Sequence, residues 1–356
     1  MIIYIDKTIG TYGRKHQFTT NELALFSQLA IAHRNGNCFL CGDILSVECI
    51  MNHIGGWEKS VYKWVRNHNA QVKSIIGLVE TLIVLSYDDT PQSPAFISSK
   101  CRLIKIDDAM RVNLYFPCAL IGENLDDCEF YKLLAARYLK EHNIKGINIA
   151  FHSTQGGGAT TNKAFENSVL VNQITTLCIV DTDVKYHKTK KYPQEPAIGD
   201  TAKKVCDTLG EFPETTLPIY DLLCLPVHEI ENLIPSCIII NLSPKPKEMR
   251  SFLKSLRTID GGQPILYYDF KEGFRKLKKD QAIEYWYAIA EHIGNYDPPN
   301  TGTNTLVKTI ELLKQADQNG QQTIYSVAVD DYLAVLWNDI GKKVFSWGCA
   351  SNKNLA

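Results

Sequence analysis

Short apolar runs alternate with amphipathic segments through the middle of the chain. Four runs have the length and composition of strands, at residues 114–121, 146–151, 176–180 and 222–227. After the first run and again in residues 161–173, apolar positions recur at three- and four-residue spacing, which predicts helices. Strands that alternate with helices favour a largely parallel sheet covered on both faces. We therefore predict a central α/β domain.

The two flanking regions show other patterns. An apolar run at residues 2–5 predicts a strand, and Thr19 and Glu22 have the capping-box spacing of a helix that starts at Thr20 and ends near His33. Helical patterns at residues 282–293 and 305–313 predict a mainly helical C-terminal region. Turn-rich sequence near Asp107 and Pro244 marks the boundaries. The predicted units are residues 1–107, an N-terminal mixed α/β domain; 108–244, the central domain; and 245–356, the helical region.

Size and composition allow several units and constrain the partners. The chain has 356 residues, 45% apolar and 22% charged, and its formal net charge is −1. A polyanionic partner would therefore need a local positive surface, bound metal ions or a second subunit. Eleven cysteines without regular spacing, no leader-like N-terminus and no membrane-length apolar run predict a cytoplasmic protein with reduced thiols and no membrane association.

Acidic residues follow three of the four predicted strands. Glu123 comes after the first, Asp181 and Asp183 directly after the third, and Glu229 and Glu231 just after the fourth. In a parallel sheet, ligands bind beyond the carboxyl ends of the strands. The sequence therefore predicts that these carboxylates meet at one edge of the sheet.

Phosphodiester cleavage requires this kind of side chain. Two divalent metals can neutralise the phosphate, lower the pKa of the attacking water and stabilise the leaving oxygen. Mg²⁺ prefers carboxylate and water oxygens. The triplet Gly156, Gly157 and Gly158 follows the second strand, and its backbone can approach a phosphate closely. Each feature alone also has a simpler interpretation as a turn, a loop or an acidic helix N-terminus.

The order of these motifs resembles that of TOPRIM domains. The segments that carry the resemblance are LIGEN at 120–124, GGG at 156–158, CIVDTD at 178–183 and HEIENLIP at 228–235. Within that fold the chain is most similar to OLD-type nucleases and related TOPRIM proteins of bacterial anti-phage defence. The match covers about a third of the chain, and the Glu-Ile-Glu-Asn segment is its most distinctive part.

The resemblance implies a metal-dependent nuclease that uses Mg²⁺ or Mn²⁺, with a two-metal site. Glu123, Asp181 and Asp183 are carried over as metal ligands, with Glu229 or Glu231 as the later acidic residue and Glu229 preferred. We expect one of these two glutamates to approach the metals and the other to cap, pair with a basic residue or face solvent. Family members also carry a second acid soon after the first glutamate, and here Asp126 and Asp127 are both candidates.

The resemblance also bears on partners. Many OLD proteins have a fused ATPase, yet this chain has no GxxxxGK[ST] motif. A nucleic acid substrate and a separate ATPase partner encoded nearby are therefore expected. The sequence leaves a homo-oligomer open, and it does not distinguish DNA from RNA.

Two rival functions remain open. A phosphatase of the haloacid-dehalogenase type would use Asp181 as nucleophile and Asp183 as general acid. That family's motif has Thr or Val two positions after the second Asp, where this chain has Lys185. The phosphatase hypothesis also gives no role to Glu123. The other rival is an inactive TOPRIM sensor or assembly subunit.

Two further segments are candidates for binding. The basic residues that follow the DxD, among them Lys185 and Lys188, could contact phosphates or form a solvated loop. A second group, which contains one CxxC, could bind zinc, although we prefer buried or free thiols. That group consists of Cys38, Cys41, Cys49 and His53.

Overall fold

The computed structural model describes residues 1–94, 97, 100–273, 281–294, 299–302, 304–316 and 320–352. Within these ranges the protein has two four-stranded sheets, and every strand pair in both is parallel. Helices surround the sheets and dominate the C-terminal part. The predicted class, an α/β protein with a mostly parallel central sheet and additions at both ends, is confirmed.

The N-terminal sheet has the strand order β2-β1-β3-β4. Every residue of the first three strands is buried, as expected for a parallel sheet covered on both faces. Thr19 and Glu22 form the predicted capping box. The elements are β1 Ile2–Ile5, α1 Lys7–Gly13, α2 Thr20–Arg34, β2 Phe39–Gly42, α3 Ile44–His53, α4 Glu58–Asn67, α5 Asn69–Leu78, β3 Leu82–Ser86, β4 Cys101–Lys105 and α6 Ile106–Ala109.

The central sheet has the order β7-β5-β8-β9. Its two inner strands, β5 and β8, are buried throughout, whereas the edge strands β7 and β9 are mostly half-buried. The elements of this region are β5 Cys118–Gly122, α7 Leu125–Glu141, β6 Ile147–Ile149, β7 Phe151–Gln155, α8 Thr161–Glu166, β8 Thr176–Val180, α9 Asp200–Gly210 and β9 Tyr220–Cys224.

The predicted strand bounds needed correction in three of four cases. The run at 176–180 matches β8. The strand predicted at 114–121 begins only at Cys118, because Pro117 has no N–H for a ladder. The run at 222–227 belongs to a strand that starts at Tyr220 and ends at Cys224, two residues before Pro226.

The apolar run at 146–151 proved to be two elements. β6 pairs antiparallel with the C-terminal strand β10, Cys349–Ser351, whereas β7 joins the central sheet beside β5. The strand that enters the sheet is the more polar of the two, as an edge strand that is only partly covered can be. Apolar content therefore misidentified which residues enter the central sheet.

The C-terminal region is helical, as predicted. Its longest helix, α14, packs along α7 of the central region. No helix in the described parts of the chain is long and apolar enough to cross a membrane. The limits of the three predicted units stay predictions. The helices are α10 Ser236–Leu242, α11 Pro246–Arg257, α12 Gln281–Ile293, α13 Thr305–Lys314 and α14 Asp331–Gly348.

Polar contacts connect the three regions. Arg102 on β4 donates to the Tyr220 carbonyl at 2.6 Å and lies 3.1 Å from the Asp221 carboxylate of β9. Lys343 of α14 lies 3.0 Å from the same carboxylate. Trp337 of α14 donates through Nε1 to the Leu233 carbonyl at 2.7 Å. The C-terminal helix therefore braces the segment that follows β9.

The contact between α14 and α7 provides a test of this packing. A Cβ at Gly341 would lie 2.9 Å from the Leu134 carbonyl oxygen, which is backbone and cannot move aside. We expect Gly341→Ala to destabilise the protein by ~1–2 kcal/mol, because overpacking outweighs the gain in helix propensity. Gly77→Ala in α5, where a Cβ meets nothing within 4 Å, is the matched control. Thermal unfolding should rank Gly341→Ala below both wild type and the control; equal stability would contradict the close helix contact.

Candidate metal centre

Carboxylates from neighbouring strands meet at the carboxyl edge of the central sheet. Glu123 follows β5 and Asp181 follows β8, and these two strands are adjacent and parallel. Burial raises the pKa of both carboxyl groups, and the charges of neighbouring carboxylates raise each of them further. Those neighbours include Asp127, which acts on both, and Glu123 itself acts on Asp181. Glu123 and Asp181 therefore lie close enough at this sheet edge for their charges to interact, and the predicted metal site remains a prediction.

The surroundings of Glu123 shift its protonation toward neutral pH. Burial, followed by the charges of Asp183 and Asp127, raises its pKa to about 7, although Lys271 opposes the shift. A carboxylate in this environment is stabilised by a proton or by a cation. It is therefore a suitable ligand for a metal ion.

The sequence left Asp126 and Asp127 as candidates for the second acid of the first motif, and of these two only Asp127 is buried. It lies in the first turn of α7, where it is buried and accepts the Asn124 N–H at 2.8 Å, whereas Asp126 is exposed. Burial raises the Asp127 pKa to about 6. The Asn124-x-x-Asp127 spacing, which is that of a capping box, could have identified it from sequence.

Asp181 and Asp183 are held by the segment that follows β9. Asp181 Oδ2 accepts the Ile230 N–H at 3.3 Å, and the Asp183 N–H donates to the His228 carbonyl at 2.9 Å. Asp183 has a φ of 52°, so the chain leaves regular strand alternation at this residue. Its carboxylate fills the space where Gly199 would carry a Cβ. Burial first, and then neighbouring carboxylates, raise the pKa of Asp181 well above its usual range.

Only part of the glycine triplet faces this cluster. The Gly156 N–H donates to the Gly122 carbonyl and the Gly157 N–H to the Glu123 carbonyl, which extends the pairing of β7 with β5. Gly158 has a φ of 57°, and a Cβ there would lie 3.9 Å from Glu123 Oε2. A phosphate-binding role would therefore rest mainly on Gly158.

The Glu-Ile-Glu-Asn segment holds a second stretch of backbone against the site. Asn232 accepts the Glu229 N–H at 2.9 Å and donates through Nδ2 to the carbonyls of Ile265 and Tyr268, both at 2.8 Å. The His228 N–H donates to the Leu266 carbonyl at 2.9 Å. These bonds fix the chain immediately before the turn that begins at residue 269.

Lys271 is the residue at this site that the sequence analysis missed. Its Nζ lies 3.1 Å from Glu229 Oε2 and 3.0 Å from Glu231 Oε1. Burial lowers the Lys271 pKa, but Glu231 and Glu229 outweigh it and the net pKa is raised, so the amine stays charged. Asp269 Oδ1 accepts the backbone N–H groups of Lys271 and Glu272 in a turn that sets this position. No local motif marks Lys271, because the contact joins distant parts of the chain.

Both glutamates of this segment pair with one basic residue, Lys271. The expectation that one of them approaches the metals, while the other caps, pairs with a basic residue or faces solvent, stays a prediction. Glu229 begins a short 3-10 helix at Ile230–Leu233, and the tight turn of that helix brings both side chains to one amine. Burial raises the pKa of Glu231, and its Oε2 has no hydrogen-bond partner among the described residues.

The basic segment after the DxD has contacts of its own. Lys188 Nζ lies 2.7 Å from Glu195 Oε1 on an exposed surface. The Lys185 carbonyl accepts the Trp286 indole N–H at 2.7 Å. The structure therefore pairs Lys188 outside the carboxylate cluster and fixes Lys185 through its backbone.

The cysteine and histidine group in the N-terminal region does not form a convergent set in the described structure. The Cys41 thiol points to the Ile3 carbonyl at 3.7 Å, and His53 Nδ1 contacts the Cys49 carbonyl of its own helix at 2.9 Å. Cys38, Cys41 and Cys49 are buried, and burial raises the pKa of each thiol. These properties fit the preferred interpretation of buried free thiols.

Comparison with known proteins adds no assignment. No family model, curated protein or solved structure matches this chain. The chemistry of the site must be inferred from its own residues. Buried carboxylates with raised pKa values, together with a Glu231 oxygen that has no hydrogen-bond partner among the described residues, are the oxygen ligands that a hard divalent cation prefers.

The pKa of Glu123 gives a testable effect on stability. A carboxylate whose pKa is raised on folding stabilises the protein when protonated, and that contribution is lost as pH rises through about 7. In metal-free buffer at about pH 8, Glu123→Gln should raise the free energy of unfolding by up to ~2 kcal/mol, a figure reduced for solvent screening, and the gain should vanish near pH 5. Asp126→Asn is the matched control and should change stability little. Denaturant unfolding of both variants and the wild type between about pH 5 and 8 measures this difference in stability. A Glu123→Gln protein that is no more stable than wild type at about pH 8 would contradict the predicted repulsion.

Proposed function

We propose that the protein is a divalent-metal-dependent nuclease that cleaves phosphodiester bonds in DNA or RNA. The observation that carries the proposal is the convergence of Glu123, Asp127, Asp181 and Asp183 at the ends of two adjacent parallel strands. The pKa values of Glu123, Asp127 and Asp181 are raised, which means that nearby positive charge does not balance these carboxylates at neutral pH. The TOPRIM-like motif order supports the same activity.

Each group has a distinct role in this proposal. Glu123, Asp181, Asp183 and Glu229 hold Mg²⁺ or Mn²⁺ in a two-metal site, and Asp127 joins them. When bound, the metals supply Lewis acidity toward the phosphate and lower the pKa of a water. Lys271, held by Glu229 and Glu231, adds a fixed positive charge beside the phosphate. Gly158 leaves room for the substrate backbone next to Glu123.

The substrate contacts outside the metal cluster come from the basic segment. Lys185 and Lys188 lie on the chain that leaves Asp183, and in this proposal they contact phosphates that flank the cleaved bond. The Lys188–Glu195 pair is exposed, and an exposed pair is worth little, so a phosphate can replace the carboxylate. This contact should be sensitive to salt.

The rival functions explain fewer of these contacts. A phosphatase that uses Asp181 and Asp183 gives no role to Glu123 and Asp127, whose charges act directly on Asp181. An inactive sensor would retain the cost of buried carboxylates without use of the cation that relieves it. The nuclease uses all four carboxylates in one reaction.

The biological setting follows the resemblance. We propose a cytoplasmic effector subunit of a bacterial anti-phage defence system, gated by an ATPase partner encoded nearby. The chain lacks a recognisable phosphate-binding loop with which to couple ATP hydrolysis to cleavage. A homo-oligomer is compatible with this arrangement.

Cleavage assays test the activity. Purified protein, with its partner where one co-purifies, should cut plasmid, linear DNA or tRNA in Mg²⁺ or Mn²⁺ and should be inactive after chelation. Glu123→Gln and Asp183→Asn should each lower the cleavage rate by ~100-fold or more, because each removes ligand charge while keeping a similar shape.

Asp126→Asn is the matched control and should retain the wild-type rate, since its carboxylate is exposed beside the cluster. A generic phosphatase substrate belongs in the same assay. Phosphatase turnover without cleavage of any nucleic acid would favour the haloacid-dehalogenase alternative. Wild-type cleavage by folded Glu123→Gln would remove the proposed site.

Gating by a partner predicts low toxicity of the isolated chain. Expressed alone, the protein should have little effect on growth, whereas co-expression with the neighbouring ATPase and its trigger should cause growth arrest that Asp183→Asn abolishes. Growth curves and co-purification measure this. Strong arrest by the isolated chain would contradict the requirement for an activator.

A further inference from the structure

A second group of metal-ligand atoms lies beside the strand-end carboxylates. His228, Glu229 and Asp269 each present one ligand atom, and these atoms all lie within 4.8 Å of one another. Among the described residues, this is the single group of three or more His, Cys, Asp or Glu side chains whose ligand atoms all lie this close together. Its members come from the segment after β9 and from the turn that carries Lys271.

His228 is the observation that points to a ligand. The residue is 5% exposed, and its Nδ1 is buried without a hydrogen-bond partner among the described residues. Its Nε2 lies 3.9 Å from Glu229 Oε1, which is longer than a hydrogen bond. Neither ring nitrogen of His228 therefore has a hydrogen bond among the described residues, and burying such an imidazole is costly unless a bound species provides a partner.

The two carboxylates are free to supply one oxygen each. Glu229 divides its oxygens, with Oε1 toward His228 and Oε2 toward Lys271 at 3.1 Å. Asp269 uses Oδ1 for the backbone N–H groups of Lys271 and Glu272, at 2.9 and 2.7 Å. A separate contact therefore orients each carboxylate, as the outer partners of metal ligands usually do.

We propose that His228, Glu229 and Asp269 form a second metal centre that takes Zn²⁺. An imidazole nitrogen suits zinc, whereas Mg²⁺ prefers oxygen ligands throughout. Three protein ligands leave a coordination position for water or a phosphate oxygen. The centre shares Glu229 with the proposed nuclease site, but zinc binding stands on its own contacts and can be measured without cleavage.

Metal titration of the intact, metal-free chain tests the proposal. The chain should bind one equivalent of Zn²⁺ in competition with a chromophoric chelator, and millimolar Mg²⁺ should not displace that ion. His228→Gln and Asp269→Asn should each weaken zinc binding by at least ~100-fold, since loss of even an outer partner costs ~10–100-fold. The amide that replaces the carboxylate in Asp269→Asn keeps an oxygen for the two backbone donors, so this variant should keep the fold.

Matched variants separate this centre from other sites. His187→Gln changes a half-buried histidine that lies 3.7 Å from one carboxylate, Asp260, and should leave zinc affinity unchanged. Asp183→Asn should impair cleavage but retain the zinc equivalent. Loss of zinc binding in Asp183→Asn together with its retention in Asp269→Asn would overturn the proposal, because the ion would then occupy the strand-end cluster.

A measurement on the wild-type protein tests the proposal without requiring that any variant folds. X-ray absorption of the zinc-loaded chain should show one imidazole with otherwise oxygen ligands. Sulfur scattering would place the ion at one or more of the eleven cysteines and would contradict the proposed centre. Absence of cleavage with zinc bound as expected would instead count against the nuclease function alone.

Discussion

Repulsion among buried carboxylates at the edge of the central sheet is the constraint on which the rest of the site depends. Burial and neighbouring charges raise the pKa values of Glu123, Asp127 and Asp181 together. The charge of Lys271 opposes these shifts at Glu123 and Asp127, and contacts with Glu229 and Glu231 hold the amine in place. The fold tolerates the cluster because one amine is fixed beside it, and the remaining negative charge favours a bound cation.

The position of that amine explains much of the architecture outside the sheet. Lys271 belongs to a turn beyond the central strands, and Asn232 holds the backbone before that turn through two hydrogen bonds. Trp337 of the C-terminal helix in turn donates to Leu233, in the same short helix as Asn232. The C-terminal region is therefore part of the site, because it supports both the glutamates and their lysine.

The strand-end acids were predictable because their placement is a local consequence of a parallel sheet. Glu123, Asp181 and Asp183 follow strands whose apolar runs are visible in the sequence. Lys271 was not predictable, since two α-helices and the 3-10 helix Asp260–Tyr267 separate it from the glutamates that it contacts, and no pattern specifies the return of the chain. The prediction of a single strand at residues 146–151 failed for a related reason. The pairing of β6 with the distant strand β10 separates it from β7, and no local pattern predicts that pairing.

Protons and metal ions have interchangeable effects on this cluster. Below about pH 7, a proton on Glu123 removes one of the repelling charges, and above it the charge must be balanced by a cation. A metal that binds there must displace the proton, so its affinity rises with pH through this range. Glu229 links this cluster to His228 and Asp269, because a cation on its Oε1 would withdraw charge from the oxygen that contacts Lys271. In the proposed arrangement, a cation on one group of ligands would therefore change the electrostatics of the other through a single carboxylate.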